Sequence, residues 1–250
     1  MNLPGIYDSF AKRWEDFQTA WIISDTHFGD EELAAGIPDR LHQEHLVKLI
    51  NSCVGKKDIL IHLGDVGDLK YAQQLKGYKV LVMGNHDSGA TNYKRHIVSR
   101  LYRKDKYARD EAIADMQAKY PNYLYHVENR YDHDGLFEWW MVTADNHLFD
   151  EVYEGPVMIG EKLLLSHEPI SVSWAFNIHG HDHAGKHLHF NAMNVCVDAE
   201  GMGYKPINLN QFLKSGPTAK VQTIHRDTID KATDRKKKRG GKKIGGRKDA

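Results

Sequence analysis

Five short apolar runs in this chain each end in a cluster of polar residues. The runs are WII (21–23), ILIHL (59–63), VLVM (80–83), KLLL (162–165) and AFNI (175–178), and the clusters that follow them are SDTHFGD, GDVGD, GNHD, SHEP and HGHDH. Apolar runs of this length that stop at turn-forming residues predict short buried strands. Segments of helical period separate the first three runs, so the order strand–helix–strand predicts an α/β fold.

The polar clusters all follow the carboxyl ends of predicted strands. Ligands of open α/β sheets bind beyond these ends, so we expect the first three clusters to lie close together. They contain Asp25, His27, Asp65, Asn85 and His86. The clusters after the fourth and fifth runs add further residues of the same types. The alternative is that the Asp and Asn residues only close the turns after the strands.

The stretch IHGHDH (178–183) carries three alternating histidines. In an extended backbone every second side chain points to the same face, so these imidazoles could converge on one point. Imidazole, carboxylate and amide ligands suit Mn, Fe or Zn rather than a calcium cage. The candidate ligands exceed what one ion takes from protein, and they suit two ions that share a carboxylate. They are Asp25, His27, Asp65, Asn85, His167, His181 and His183.

The motifs DTH, GDVGD, GNHD, SHEP and GHDH occur in this order over about residues 20–210. This series resembles the calcineurin-like metallophosphoesterase superfamily, in particular its small bacterial and phage members. The resemblance implies the calcineurin-like α/β fold, a β-sandwich core flanked by helices. It also implies two ions bridged by Asp65. One ion would be held by Asp25, His27 and His183, and the other by Asn85, His167 and His181.

The resemblance further implies how the site would act. A hydroxide activated by the metal ions would attack a phosphoester, and His86 would assist the leaving group as general acid. Asp68 stands at the position that orients this histidine, and Asp87 is a weaker candidate for that role. Two divalent ions are the implied cofactors, with Mn first and Fe, Zn or Ni as alternatives.

The residues after GDVGD narrow the substrate class. Protein serine/threonine phosphatases of the superfamily have Arg-Gly there, whereas this chain has Leu69 and Lys70. We therefore expect a small phosphodiester or nucleotide as substrate, with phosphodiesterase favoured over phosphomonoesterase activity.

Residues 90–150 interrupt the motif series and are interpreted as an insertion that forms a cap within a domain spanning residues 1–225. The charged stretch 102–120 predicts a helix in this insertion. Trp139 and Trp140, in the segment LFEWWMV (136–142), either pack in the core of the cap or stack a base. Residues 194–209 predict a last strand, a glycine-containing turn and an extended exit.

The C-terminal residues 226–250 contain eleven Lys and Arg against four Asp, although the whole chain has no net charge. A segment so basic and so poor in apolar residues predicts a disordered tail. The tail could attract nucleic acid by neutralising phosphates, or it has no partner. Its densest basic run is Lys236, Lys237, Lys238 and Arg239.

Two distant cysteines, Cys53 and Cys196, and the lack of a long apolar stretch predict a cytoplasmic protein without a membrane segment. The leading hypothesis is a dinuclear metal-dependent phosphoesterase. A nuclease that holds nucleic acid through the basic tail is the second, and a non-catalytic nucleic-acid-binding adaptor is the third. The sequence leaves the oligomeric state open.

Overall fold

The computed structural model describes residues 19–160, 162–188 and 191–221. Its first sheet has five strands, and all of them except the edge strand β12 run parallel to their neighbours. In spatial order the strands are β12 (Ile207–Asn208), β1 (Ala20–Ile23), β2 (Ile59–His62), β3 (Tyr78–Val82) and β7 (Glu151–Tyr153). The first three polar clusters follow β1, β2 and β3, and these three strands are neighbours in one parallel sheet.

The second sheet has four strands, of which three are parallel and the edge strand β8 is antiparallel. In spatial order they are β11 (Ala192–Asn194), β10 (Phe176–His179), β9 (Leu163–Leu165) and β8 (Val157–Ile159). Both sheets contribute to one hydrophobic core, with Ile61 and Val80 on one side and Leu165 and Ile178 on the other. This two-sheet core is the predicted α/β sandwich.

The helices are short and lie in the connections. They are α1 (Glu31–Gly36), α2 (Gln43–Cys53), α3 (Leu69–Ala72), α4 (Ala90–Tyr93), α5 (Arg109–Lys119) and α6 (Leu209–Lys214), with a 3₁₀ turn at Pro217–Lys220. Helix α2 lies in the first of the segments with predicted helical period, and it buries Leu46, Val47 and Ile50. The predicted extended exit stops at β12, because Asn208 accepts a hydrogen bond from the Gln211 N–H and begins α6.

The insertion is an antiparallel sheet with one helix packed on it. Its strands are arranged in the order β4 (Ile97–Arg103), β6 (Glu138–Asp145), β5 (Leu124–Tyr131). Ala112 and Met116 of α5 pack with Tyr102 and Val142 in a small separate core, and Trp140 packs against it.

The predicted helix over 102–120 is wrong in its first part. Tyr102 and Arg103 end strand β4, and the helix begins only at Arg109. Tyr102 pairs with Trp140 across the sheet, so pairing with a strand almost forty residues away overrides the local charged pattern.

The basic tail lies outside the described residues, so its disorder and its contact with nucleic acid stay predictions. No helix in the described part of the chain is long and apolar enough to cross a membrane.

The core between the sheets should dominate the stability of the fold. Ile61 is fully buried in the central strand β2, so Ile61→Ala should lower the free energy of unfolding by about 2–5 kcal/mol. Urea unfolding measures this loss. Ile97→Ala is the matched control, because Ile97 is 51% exposed and its truncation should cost less than about 0.5 kcal/mol. Equal losses in both variants would contradict this description of the core.

Candidate metal centre

The ends of five parallel strands bring the predicted ligands together. Asp25 and His27 follow β1, Asp65 follows β2 and Asn85 follows β3. From the second sheet, His167 follows β9, and His181 and His183 follow β10. The two sheets meet here through a bridge between Ser24 and Cys196, where the Ser24 N–H donates to the carbonyl of Val195 at 3.0 Å.

The backbone of the site is strained at the candidate ligands themselves. Asp25, His27, Asp65 and His181 have positive φ values of 58°, 38°, 56° and 69°. Non-glycine residues rarely occupy this left-handed region, and such strain clusters at functional sites. Gly180 is needed for a different reason, because a Cβ there would overlap the carboxylate of Asp25.

One ligand group surrounds His167. Its Nε2 lies 2.8 Å from Asn85 Oδ1, 3.2 Å from His181 Nδ1 and 3.3 Å from Asp65 Oδ2. His167 Nδ1 donates to the Leu63 carbonyl at 2.8 Å, so the lone pair of this ring faces the cluster. With Asp65 and His181, His167 forms a set whose donor atoms all lie within 4.8 Å of one another.

A second group lies around Asp25 and His27. Asp25, His27 and Asp65 form one set of close donor atoms, and Asp25, His183 and Cys196 form another. His27 Nε2 is 3.4 Å from Asp65 Oδ2, and His183 Nε2 is 3.8 Å from Asp25 Oδ1. The two acidic residues therefore each belong to two sets and link them all into one cluster.

The three histidines of IHGHDH separate in the structure. Strand β10 ends at His179, so the alternation that would put all three on one face stops there. His181 joins the group around His167, and His183 joins Asp25. His179 is buried, with its Nδ1 2.8 Å from the carbonyl oxygen of Gly180.

The donor set fits divalent cations. Asp25 Oδ1 and His27 Nε2 are buried, and neither has a hydrogen-bond partner in the part of the chain that the structure describes. Buried polar atoms in native proteins are normally satisfied, so two such atoms in a cluster of carboxylates and imidazoles indicate a place for a cation.

The electrostatics of Asp65 agree with this assignment. Burial would raise the pKa of this carboxyl group, but the neighbouring imidazoles of His167 and His27 outweigh burial and hold the pKa far below its usual range. The backbone N–H of His86 also donates to Asp65 Oδ1, at 2.9 Å. Asp65 is therefore a buried anion at the middle of the cluster.

His86 borders the cluster and is exposed to solvent. Its ring centroid lies 5.2 Å from that of His27. Asp68, the predicted orienting residue, instead accepts from the Lys70 N–H at 3.0 Å and lies 3.1 Å from Lys70 Nζ. Asp87 accepts from the backbone N–H groups of Asp65, Val66 and Gly84, so it fixes the loops that carry the ligands. The orienting role of Asp68 thus stays a prediction.

Sequence reasoning missed a buried ion pair behind His183. Asp198 Oδ2 accepts from His183 Nδ1 at 2.9 Å, which leaves Nε2 of that ring toward the cluster. Arg40 pairs with the same carboxylate, and its Nη2 donates to the carbonyls of Asp25 and Thr26 at 3.2 and 3.0 Å. Carboxylates behind ligand histidines orient the imidazole and raise its basicity.

Cys196 was also missed, since the sequence analysis used it only as one of two distant cysteines. Its Sγ lies 3.5 Å from His183 Nδ1, and burial raises the pKa of its thiol. No local motif contains Arg40, Asp198 or Cys196, so only the fold could show these contacts.

His62 connects the loops beneath the ligands. It accepts from the Gly64 N–H through Nδ1 at 3.2 Å, and its Nε2 lies 3.0 Å from Thr26 Oγ1. Thr26 in turn donates to the carbonyl of Val66 at 2.9 Å. The ring is fully buried, and burial lowers its pKa to about 4. A neutral ring whose Nε2–H donates to Thr26 Oγ1 satisfies each of these three contacts.

Comparison with known proteins now identifies the class. A family model described as calcineurin-like phosphoesterase matches residues 19–197, and the chain belongs to this family. The ligand groups agree with the metal-dependent phosphoesterase activity that this family implies.

Two individual proteins are similar to parts of the chain. The Gene 66 protein of Mycobacterium phage D29 is 36% identical over 97 residues, which cover 33% of this chain and 47% of that protein. The matched part thus spans about half the length of this relative. A crystal structure of the Aquifex aeolicus protein of unknown function AQ665 matches with a TM-score of 0.47 and 22% identity, covering 78% of this chain and 98% of the other.

The neutral His62 predicts a pH dependence of stability. Its pKa is about 4 in the fold and has an ordinary value of 6.5, so the unfolded chain binds the proton more tightly. The neutral His62 ring therefore contributes its full stabilisation above pH 6.5. As the pH falls toward 4, the free energy of unfolding decreases by about 3 kcal/mol in total. His62→Gln should flatten this loss, as measured by urea unfolding of chelator-treated protein. His126→Gln, at an exposed histidine, should leave the pH profile unchanged; parallel profiles for His62→Gln and wild type would contradict the assignment.

Asp198→Asn should weaken metal binding. It keeps the shape of the side chain but removes the charge that holds His183 and Arg40, so we expect roughly 10- to 100-fold lower affinity for Mn²⁺. Titration calorimetry measures the affinity, and thermal unfolding measures the separate loss of stability. Asp58→Asn is the control, because Asp58 is also buried but bonds Trp21 Nε1 and the Gly55 N–H instead. Equal Mn²⁺ affinities in the two variants would refute the positioning role.

Proposed function

We propose that this phosphoesterase holds two divalent ions and hydrolyses a small phosphodiester or a nucleotide. The observation that carries the proposal is the sharing of carboxylates. Asp65 belongs both to the group of His167 and His181 and to the group of Asp25 and His27. A carboxylate common to two neighbouring donor groups suits a bridging ligand between two ions.

The ligand assignment follows the two sides of this bridge. Asp25, His27 and His183 would hold one ion, and Asn85, His167 and His181 would hold the other. Bound divalent ions polarise phosphoryl oxygens and make coordinated water a better nucleophile. The donor mixture suits Mn²⁺, and Fe, Zn or Ni are alternatives that also accept imidazole and carboxylate ligands.

The residues of the chain complete the reaction. His86 is exposed at the edge of the cluster, and its backbone N–H donates to Asp65. The hydrogen bond fixes the backbone, while the exposed ring is free to contact a phosphoester bound at the cluster. We assign it the transfer of a proton to the leaving oxygen as the P–O bond breaks. Asp68 is assigned the orientation of this ring, for which it would exchange its present contact with Lys70.

The substrate preference is a further part of the proposal. Leu69 and Lys70, in place of the Arg-Gly of protein phosphatases, favour a small phosphodiester over a phosphoprotein. A nuclease would use the same centre and would differ in the basic tail, which lies outside the described residues. The intact donor groups argue against a non-catalytic adaptor, because a binding module does not need seven converging ligands.

Hydrolysis of bis-p-nitrophenyl phosphate tests the proposed chemistry. We expect turnover with Mn²⁺ that disappears on treatment with a chelator. His86→Ala should lower kcat by about 10²- to 10⁴-fold while Mn²⁺ affinity is retained. Asp65→Asn should lose both activity and metal binding, since it removes the shared anion.

The matched control is His126→Ala, at an exposed histidine of the inserted sheet. It should hydrolyse the diester like wild type. Diester hydrolysis that survives the chelator, or full activity of His86→Ala, would overturn the proposal. A p-nitrophenyl phosphate monoester assayed in parallel decides between diester and monoester preference.

A further inference from the structure

A cavity of about 740 Å³ lies between the inserted sheet and the sandwich. Residues 68–70 and Gln73 contribute to its sandwich side, and Asn122, Tyr123 and Asn146 contribute to its inserted side. Asp68 connects it to the metal centre, because its N–H donates at 2.6 Å to the carbonyl of Phe28, the residue after His27. The volume is typical of a pocket for a small molecule.

The walls of the cavity are fixed by hydrogen bonds. Asn146 accepts from the His96 N–H at 2.9 Å and donates to the Lys94 carbonyl at 3.1 Å. Gln73 Nε2 donates to the carbonyl of Asn122 at 2.9 Å, which ties the insertion to α3. A ligand would therefore find the cavity already formed, which reduces the entropic cost of binding.

Aromatic rings line the inserted side. Tyr123 and His96 face each other edge to face, with ring centroids 5.9 Å apart and Nδ1 3.0 Å from the phenol oxygen. Tyr120 packs behind Tyr123 at 5.3 Å. The face of a single aromatic ring such as that of Tyr123 offers a flat surface on which a heteroaromatic base can stack.

The cationic side chains that line the cavity differ in whether a carboxylate contacts them. Lys70 contacts Asp68, and Arg95 contacts Asp145 and Asp150. Within the ranges that the structure describes, Lys94 has no carboxylate partner and is exposed. An anionic oxygen of a ligand is the complement that this ammonium group lacks.

We propose that this cavity binds the nucleoside portion of a nucleotide substrate, with the base against Tyr123 and an anionic oxygen of the attached phosphate beside Lys94. The inference rests on the proposed function for the placement of the reacting phosphate at the metal centre. It adds the substrate class, which the metal ligands by themselves do not specify.

Calorimetric titration of the full chain, loaded with Mn²⁺, tests the inference. Adenosine 5′-monophosphate should bind more tightly than ribose 5-phosphate, which carries the same phosphate without the base. Tyr123→Ala should weaken adenosine monophosphate binding by roughly 5- to 100-fold and leave ribose 5-phosphate binding unchanged. Tyr123→Phe should keep most of the affinity, and chromatography should show that the nucleotide stays intact.

Tyr131→Ala is the matched control, because Tyr131 belongs to the same strand β5 but is 64% exposed and outside the cavity. Lys94→Gln should weaken nucleotide binding, whereas Lys48→Gln on the surface of α2 should not. Equal affinities for the two phosphates, or equal effects of Tyr123→Ala and Tyr131→Ala, would overturn the inference. Failure of diester hydrolysis with base-selective binding intact would overturn the proposed function alone.

Discussion

The buried carboxylate of Asp65 is the charge around which the rest of the site is arranged. A buried anion is costly unless it is compensated, and here His27 and His167 approach it from different sheets while the N–H of His86 donates to it. Asp87 holds the backbone of Asp65 from the loop after β3. Loops that follow four different strands are therefore held in place by a single side chain, and the strained φ of Asp65 persists because these contacts over-determine it.

The sandwich is what makes this compensation possible. Neither sheet alone carries the full donor set, because the carboxylates and Asn85 follow strands of the first sheet while His167, His181 and His183 follow strands of the second. Packing the sheets on one core brings these strand ends to the same edge. The ion pair of Arg40 and Asp198 strengthens this junction, since Arg40 bonds the carbonyls after β1 while Asp198 bonds His183.

The insertion is a second packing unit beside the sandwich. It has its own small core around Met116 and Val142, and polar contacts join it to the sandwich. Among them is Lys79 of β3, which donates to the carbonyls of Ala72 and His147. Burial lowers the pKa of this lysine to about 7. A polar junction of this kind fixes the inserted sheet against the sandwich and leaves a cavity between the two units.

The sequence by itself determined the family, the strands that carry the motifs and the residue types of the centre. Apolar runs that end in Asp, Asn and His are local signals, and parallel strands must align their carboxyl ends. Only the tertiary structure decided that Tyr102 lies in a strand, that strand β10 ends at His179, and that Arg40, Asp198 and Cys196 stand behind the ligands. Arg40 and Asp198 are 158 residues apart in the chain. Such contacts have no local period, because they depend on how two sheets and an insertion pack together.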